Sequence, residues 1–364
     1  MTVAPSTPVR VGYIGVGWAD RIQIPTHRLA GLTPQAVCAG HVERAQRVAH
    51  KHGISEIYPS WEELVASPNV DLVSVVTPPH LHAEIAAAAL AAGKHVVCEK
   101  PMALNVAEAE KMLAAAQAAP DRLAVIDHEL RFNPARAHLR KLLRGGYVGS
   151  PLFLRLTWFS PNRLDPRQPW NWNSDAERGG GILGGVGSHL FDLARWLLWR
   201  VDALSAQLQT GHALRHDAAA DAQRRVTADD AASLQLQFGA GVQARIEASA
   251  LHPGGRGMTV LLVGTEGALR IDEDDALWGV QGEGFPRGEW QLLPIPDHTV
   301  NIADLPSRSP FTVGSYYLAR GLAAAFDGDE PVVPDAATFY DGLAVQRGLD
   351  AARRSSHEGA WVGL

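Results

Sequence analysis

Short apolar runs and helical segments alternate along residues 1–127, and that rhythm leaves few folds open. Val9–Ile14, Gln35–Ala39, Leu72–Val76, His95–Cys98 and Leu123–Ile126 read as strands. Between them lie helix signals: Asp20–Ala30, Glu43–His52 closed by Gly53, and Ser60 with Glu63 at capping-box spacing. Leu81–Ala92 stops at Gly93, and Asn105 with Glu108 opens a helix to Ala119. Leu72–Val76 is apolar except for Ser74, as expected of a strand covered on both faces. The alternation predicts parallel strands joined by right-handed crossovers, a doubly wound α/β sheet. Such sheets bind ligands beyond the carboxyl ends of their strands. A ligand is therefore expected at Gly15–Asp20, Gly40–Arg44, Thr77–His82 and Glu99–Met102.

The remainder has another pattern. Asn133-Pro134 caps a helix that ends at Gly145-Gly146, and Leu152–Phe159 reads as a strand. Ser160–Arg178 is a long loop rich in Pro, Asn and Trp, followed by a helix over Ser188–Trp199. Alternating strands follow at Ala203–Gln209, Ala232–Phe238, Val242–Ala250, Thr259–Val263 and Ala268–Ile271. Gly239-Ala240-Gly241 and Gly264–Gly267 make hairpin joints, and His212–Thr227 reads as a polar surface excursion. Two helices close the chain, near Gly314–Phe326 and Ala336–Ser355. This is a mostly antiparallel α+β domain. At 364 residues two domains are expected, 1–127 and 128–335.

Composition excludes several classes. Thirty-three basic residues stand against 39 acidic, a net charge of -6, so no general nucleic-acid binder is expected. No apolar run is long enough to span a membrane, and Met1–Pro8 lacks the pattern of a signal peptide. The two cysteines, Cys38 and Cys98, each sit in an apolar run and read as buried thiols, which argues against a disulfide framework or a zinc site. A cytoplasmic location fits. His80 and His82 have no third partner in view, so no metal is expected.

Gly15-Val16-Gly17 follows a strand and precedes a helix, the context in which such glycines cradle a pyrophosphate. Gly15 permits the turn, Gly17 lets phosphate approach, and the helix start through Trp18 and Ala19 offers N–H groups and a positive dipole end. Asp20 stands where the third glycine of the fingerprint belongs. The second strand ends in Gly40-His41, without the carboxylate that holds an NAD ribose. Gly40 leaves space, and His41 and Arg44 offer charge to a 2′-phosphate; alternatively both are solvated surface residues. The cofactor is read as NADP or NAD, with NADP favoured. Thr77, Pro78, His82, Glu99 and Lys100 complete the candidate cofactor contacts.

Val96-Val97-Cys98-Glu99-Lys100-Pro101-Met102, after Thr77-Pro78-Pro79-His80-Leu81-His82, resembles the glucose-fructose oxidoreductase / inositol dehydrogenase / rhizopine catabolism (Gfo/Idh/MocA) family. So do Arg131-Phe132-Asn133-Pro134, Gly179-Gly180-Gly181, Gly187-Ser188-His189-Leu190-Phe191-Asp192, Thr227–Asp230 and Gly264–Gly267. The resemblance runs from about Val9 to Val362. It implies a nicotinamide-dependent oxidoreductase acting on a sugar, polyol or cyclitol. It also implies a Rossmann domain, an open-faced sheet domain supplying substrate contacts and the interface of a homodimer or homotetramer, and a last helix near 336–355 packing back on the first domain. By the same resemblance Lys100 and His189 are the catalytic pair. Arg131 and Trp172 join His189 as candidate substrate contacts.

Alcohol oxidation removes a proton from oxygen while hydride leaves carbon, and two polar groups must hold that hydroxyl. A lysine can stabilise the developing oxygen charge, and a histidine can serve as base near neutral pH. His189 also begins an apolar helix, so capping is its other reading. The family commonly carries an aspartate four residues before this histidine, where Gly185 stands here. Asp175, Glu177 and Asp192 are candidate substitutes. Trp170 and Trp172, with Asn171, Asn173, Arg163, Arg167 and Asp165, suit a polyhydroxylated ring or pack against the sheet. Two other functions compete: NAD-dependent glycoside cleavage, and a nucleotide-binding sensor with little turnover.

Overall fold

The computed structural model describes residues 8–296, 302–326 and 332–364. The expected lead-in Met1–Pro8 lies almost entirely outside them. The chain forms two compact units, Met1–Asn133 with Thr299–Leu343, and Pro134–His298 with Ala344–Leu364.

The first unit opens with β1 (Arg10–Ile14), α1 (Ile24–Leu29), β2 (Thr33–Cys38), α2 (Val42–His52), β3 (Glu56–Tyr58) and α3 (Trp61–Ala66). It continues with β4 (Leu72–Val75), α4 (His82–Ala91), β5 (His95–Cys98), α5 (Val106–Ala118) and β6 (Ala124–Ile126). The expected caps form. Ser60 accepts the Glu63 N–H, Asn105 accepts the Glu108 N–H, and Gly53 closes α2 at φ 63°. Ahead of α1, Ala19–Gln23 forms a π-turn in which Gln23 is fully buried. Cys38 and Cys98 are free thiols inside the core.

The second unit contains α6 (Pro134–Arg144), β7 (Pro151–Phe159), α7 (Ser188–Leu198), β8 (Val201–Gln209), β9 (Leu214–Asp217) and β10 (Ala222–Arg225). Then come β11 (Ala231–Phe238), β12 (Gln243–Ser249), β13 (Gly257–Gly264), β14 (Gly267–Ile271), β15 (Leu277–Gln281) and β16 (Gln291–Leu292). The chain closes with α8 (Pro310–Ala325), β17 (Ala337–Thr338), α9 (Phe339–Glu358) and β18 (Val362–Gly363). Helix α8 and the first turn of α9 belong to the first unit, and the rest of α9 belongs to the second.

The first sheet runs β17-β6-β5-β4-β1-β2-β3, all parallel except for the edge strand β17. This is the Rossmann order, and its direction of growth reverses between β1 and β4. The second sheet runs β16-β15-β14-β13-β7-β12-β11-β8-β18, and only β7 with β12 is parallel. Along β11 and β12 one face is buried through Leu234, Leu236, Ala244 and Ile246, while Ser233, Gln235, Arg245 and Glu247 stay exposed. The expected polar surface excursion His212–Thr227 is largely exposed, but it is not irregular. It holds the β9–β10 hairpin, which pairs as a separate two-stranded sheet and carries a fully buried Arg215. Alternating polar and small residues hid it. Five further strands, β3, β15, β16, β17 and β18, are short or lie at or beside a sheet edge, where hydrophobic patterning is weak.

Candidate active site

Successive strand ends of the first sheet are locked together by backbone hydrogen bonds. Gly15 N–H donates to Cys38 O (2.9 Å), Val76 N–H to Ile14 O (2.7 Å), Glu99 N–H to Val75 O (2.9 Å) and Asp127 N–H to Cys98 O (2.8 Å). The turns Gly15–Gly17, Thr77–Pro78 and Glu99–Lys100 therefore leave the sheet along one edge, with the first two flanking the reversal of strand order. Gly15 sits at φ 93°, and a Cβ there would stand 2.9 Å from Thr77 N and closer still to the Val76 carbonyl, so only glycine fits. Gly17 is different. It is exposed, and nothing in the protein lies within 4 Å of where its Cβ would be. Its backbone is thus open to a ligand.

Asp20, in place of the third glycine, turns toward the end of α2. Its Oδ1 accepts hydrogen bonds from Lys51 Nζ (2.8 Å) and lies 2.7 Å from His52 Nε2. Burial pushes this carboxyl up, but the bonds from Lys51 and His52 outweigh it and hold the group below its ordinary value. Ala19 is fully buried in the core and could meet a ligand only through its backbone. Trp18 is half-buried with the Arg21 guanidinium 5.6 Å from its ring centre. Gly40 is open, and His41 and Arg44 are exposed; His41 opens α2 without a side-chain capping bond.

His82 is fully buried. Its Nε2 lies 2.8 Å from the Thr77 carbonyl and its Nδ1 3.0 Å from the Pro101 carbonyl. Burial lowers the imidazole to about 4 against the pull of these carbonyls, and the ring sits between the Thr77 turn and the segment after Lys100. Lys100 is half-buried at the carboxyl end of β5, and the Lys100–Pro101 peptide is cis. Glu99 is buried and bonded to Gln23. Arg131 is buried too. Its guanidinium lies 3.3 Å from an Asp341 carboxylate oxygen and donates to the Asp335 carbonyl at 3.3 Å, so it braces this unit from within.

In the second unit His189 lies in the first turn of α7 and is 1% exposed. The π-turn Leu183–Gly187 precedes it, closed by a Ser188 hydroxyl bond to Gly184 O at 2.6 Å. Gly185 has open space where a Cβ would stand. Of the candidate carboxylates, Asp175 caps a short turn by accepting the Glu177 N–H (3.1 Å), Glu177 is exposed, and Asp192 is buried within α7. The two tryptophans separate. Trp170 donates Nε1–H to the Arg225 carbonyl (3.1 Å), and Arg224 covers its ring at 3.5 Å from the centre. Trp172 is 39% exposed and presents an open indole. Residues 163–168 are clamped by Arg215, which donates to the carbonyls of Arg163 (2.7 Å) and Asp165 (2.9 Å). Arg163 in turn pairs with the buried Asp230 at 3.1 Å. The sequence reading missed Arg215; its only signal was an arginine flanked by Leu214 and His216 in an otherwise polar stretch.

The family model described as an oxidoreductase family with an NAD-binding Rossmann fold matches residues 9–126. The corresponding C-terminal domain model matches 137–270. The chain belongs to the Gfo/Idh/MocA oxidoreductase family. It is 34% identical over 303 residues to an uncharacterized oxidoreductase of Synechocystis, covering 81% of each chain. It is 30% identical to human glucose-fructose oxidoreductase domain-containing protein 2, over 96% of this chain and 92% of that one. A solved structure of levoglucosan dehydrogenase in complex with NADH and L-sorbose superimposes with a TM-score of 0.87 at 25% identity, over 98% of this chain and 99% of that one. This Gfo/Idh/MocA protein is thus an NAD-binding oxidoreductase. The open backbone at Gly17, the helix start beside it and the clear strand tip at Gly40 fit a dinucleotide. Among the described residues no helix is long and apolar enough to cross a membrane.

Proposed function

We propose that the protein transfers hydride between nicotinamide and a hydroxyl of a sugar, polyol or cyclitol, with Lys100 and His189 as its polar catalytic groups. The observation that carries this reading is the position of Lys100, directly beyond β5 and on the same sheet edge as the Gly15–Gly17 turn. The likeness to levoglucosan dehydrogenase bound to NADH and L-sorbose supports the substrate class. The dinucleotide would lie on Gly15, Gly17 and the backbone of Trp18 and Ala19, with its far end at Gly40, His41 and Arg44. When bound, it supplies the hydride acceptor. The Lys100 ammonium stabilises negative charge growing on the substrate oxygen, and His189 takes the hydroxyl proton. His82, fully buried between the Thr77 and Pro101 carbonyls, holds the turn at Thr77–Pro78. Trp172 offers the apolar face of its indole to the C–H side of the ring.

His41 and Arg44 support NADP serving at least as well as NAD. The exposed face of β11 and β12 supports a homodimer or homotetramer. The deciding experiment is Lys100→Met. Turnover on a panel of anhydrosugars, ketohexoses and polyols should fall about 10²–10³-fold, the scale of losing one transition-state charge stabiliser. Cofactor affinity, read by fluorescence, should change little. Full activity in the variant overturns the reading.

A further inference from the structure

Beneath Lys100 lies a group of buried polar side chains that hydride transfer does not use directly. Gln23 Nε2 donates to Glu99 Oε1 (2.9 Å) and to Asp127 Oδ2 (2.8 Å), so one amide nitrogen holds two carboxyl groups. The amide is oriented by Ser74, whose hydroxyl donates to Gln23 Oε1 at 2.7 Å. Gln23 and Ser74 are fully buried, and Asp127 and Glu99 are 2% and 8% exposed. Asp127 Oδ1 is sealed from solvent, and among the described residues no N–H or O–H reaches it. Two ionised carboxylates on one nitrogen, away from water, would repel strongly. A proton on one of them removes the repulsion and also supplies Asp127 Oδ1 with a donor.

We propose that Glu99 is held as a neutral carboxylic acid donating to Asp127, so that the pair presents a single negative charge to Lys100 and positions its ammonium. The role toward Lys100 rests on the function proposed above; the protonated pair does not. Burial pushes Glu99 well above the ordinary carboxylate range, with the Asp127 charge adding to it and Lys100 opposing. Burial raises Asp127 too, against hydrogen bonds from Gln23 and Glu99. The other titratable groups facing the pair are Glu129, itself pushed up by burial and by Asp127 and Glu99, and the buried Cys98 thiol. Asp127 is the member that stays ionised, and Glu99 is a positioning residue, not a catalytic one.

Neutron diffraction on wild-type crystals grown near neutral pH in D2O reads the proton directly. Deuterium on a Glu99 oxygen facing Asp127 is expected; its absence overturns the proposal whatever the activity. Kinetics then test the role. Glu99→Ala should lower kcat about tenfold with KM for cofactor nearly unchanged, and Glu99→Gln, whose amide can donate to Asp127 as the acid does, should restore most of it. Asp127→Asn, which removes the charge, should lose as much as Glu99→Ala. Equal losses in Glu99→Ala and Glu99→Gln refute the donor role. If Lys100→Met leaves turnover intact while the deuterium is found, the acid pair stands, and the proposed function and the positioning role fall together.

Discussion

Replacing Arg215 by methionine tests whether the β9–β10 hairpin organises the segment that carries Trp172. The guanidinium is fully buried and donates to three carbonyls, Arg163 (2.7 Å), Asp165 (2.9 Å) and Gln168 (3.4 Å, the weakest). A hydrogen bond to a charged group contributes about 1.5–3 kcal/mol, and each buried carbonyl left unpaired costs about 1–3 kcal/mol. Against that, methionine fills much of the volume and removes the cost of burying a cation beside Arg163, whose own charge the Arg215 guanidinium opposes. The balance is a loss of about 2–4 kcal/mol. At roughly 2–4 °C per kcal/mol for a unit of this size, the melting temperature should fall by roughly 5–15 °C. Hydrogen exchange gives the local readout. The Trp170 amide, bonded to the His216 carbonyl at 2.7 Å, should lose protection, while the amides of β1 and β4 in the other unit keep theirs. KM for the polyol should rise with little change in cofactor affinity. A variant that melts with wild type and keeps the Trp170 amide protected would refute the clamp.

Three further expectations concern the proposed chemistry. Gly185→Asp should fold, since its Cβ meets nothing within 4 Å; kcat/KM should fall if the glycine leaves room for the substrate and rise on a polyol if the site lacks its usual carboxylate, with a fall expected, and unchanged kinetics in a folded variant would take this position out of the reacting centre. NADP should bind at least as tightly as NAD, and the double change His41→Ala with Arg44→Ala should weaken NADP about tenfold, ~1.4 kcal/mol, while sparing NAD; a tenfold wild-type preference for NAD in a fluorescence titration would count against it. Light scattering at micromolar concentration should give two or four times the chain mass, and a single-chain particle would reject the sheet-face interface.

The parallel sheet was legible because its strands are nearly continuous apolar runs and its helices carry their own punctuation. Ser60, Asn105 and Gly53 cap the helices that their patterns predict, for the same local reasons, side-chain acceptors and a left-handed glycine. The strand ends that line the candidate site followed from topology alone. His41, Arg44 and Trp172 are all accessible to a ligand. What failed to read was the burial of polar side chains. Arg131 is buried, with Asp341 and Asp335 as partners far along the chain. Trp170 and Trp172 looked equivalent, yet Arg224 covers one and leaves the other open. A guanidinium or amide is polar wherever it sits, and only its partners, often far away in sequence, decide whether it faces solvent.

Ser74 and Asp20 show how such exceptions carry information. Ser74 breaks an otherwise apolar strand, and a lone hydroxyl inside a covered sheet needs a partner. That partner is Gln23, which the π-turn before α1 places fully inside the protein, and through Gln23 the hydroxyl reaches Glu99 and Asp127. Asp20 breaks the glycine fingerprint in the same turn. A carboxylate beside the proposed pyrophosphate turn would repel the ligand, but Asp20 faces α2, where Lys51 bonds it and His52 lies against it. Asp20 and Gln23, the partner of Ser74, both lie within one irregular helical start. Its π-turn directs Gln23 into the core and Asp20 toward α2. The local break in the fingerprint and the buried acid pair beside Lys100 thus share a structural origin, the five residues Ala19–Gln23.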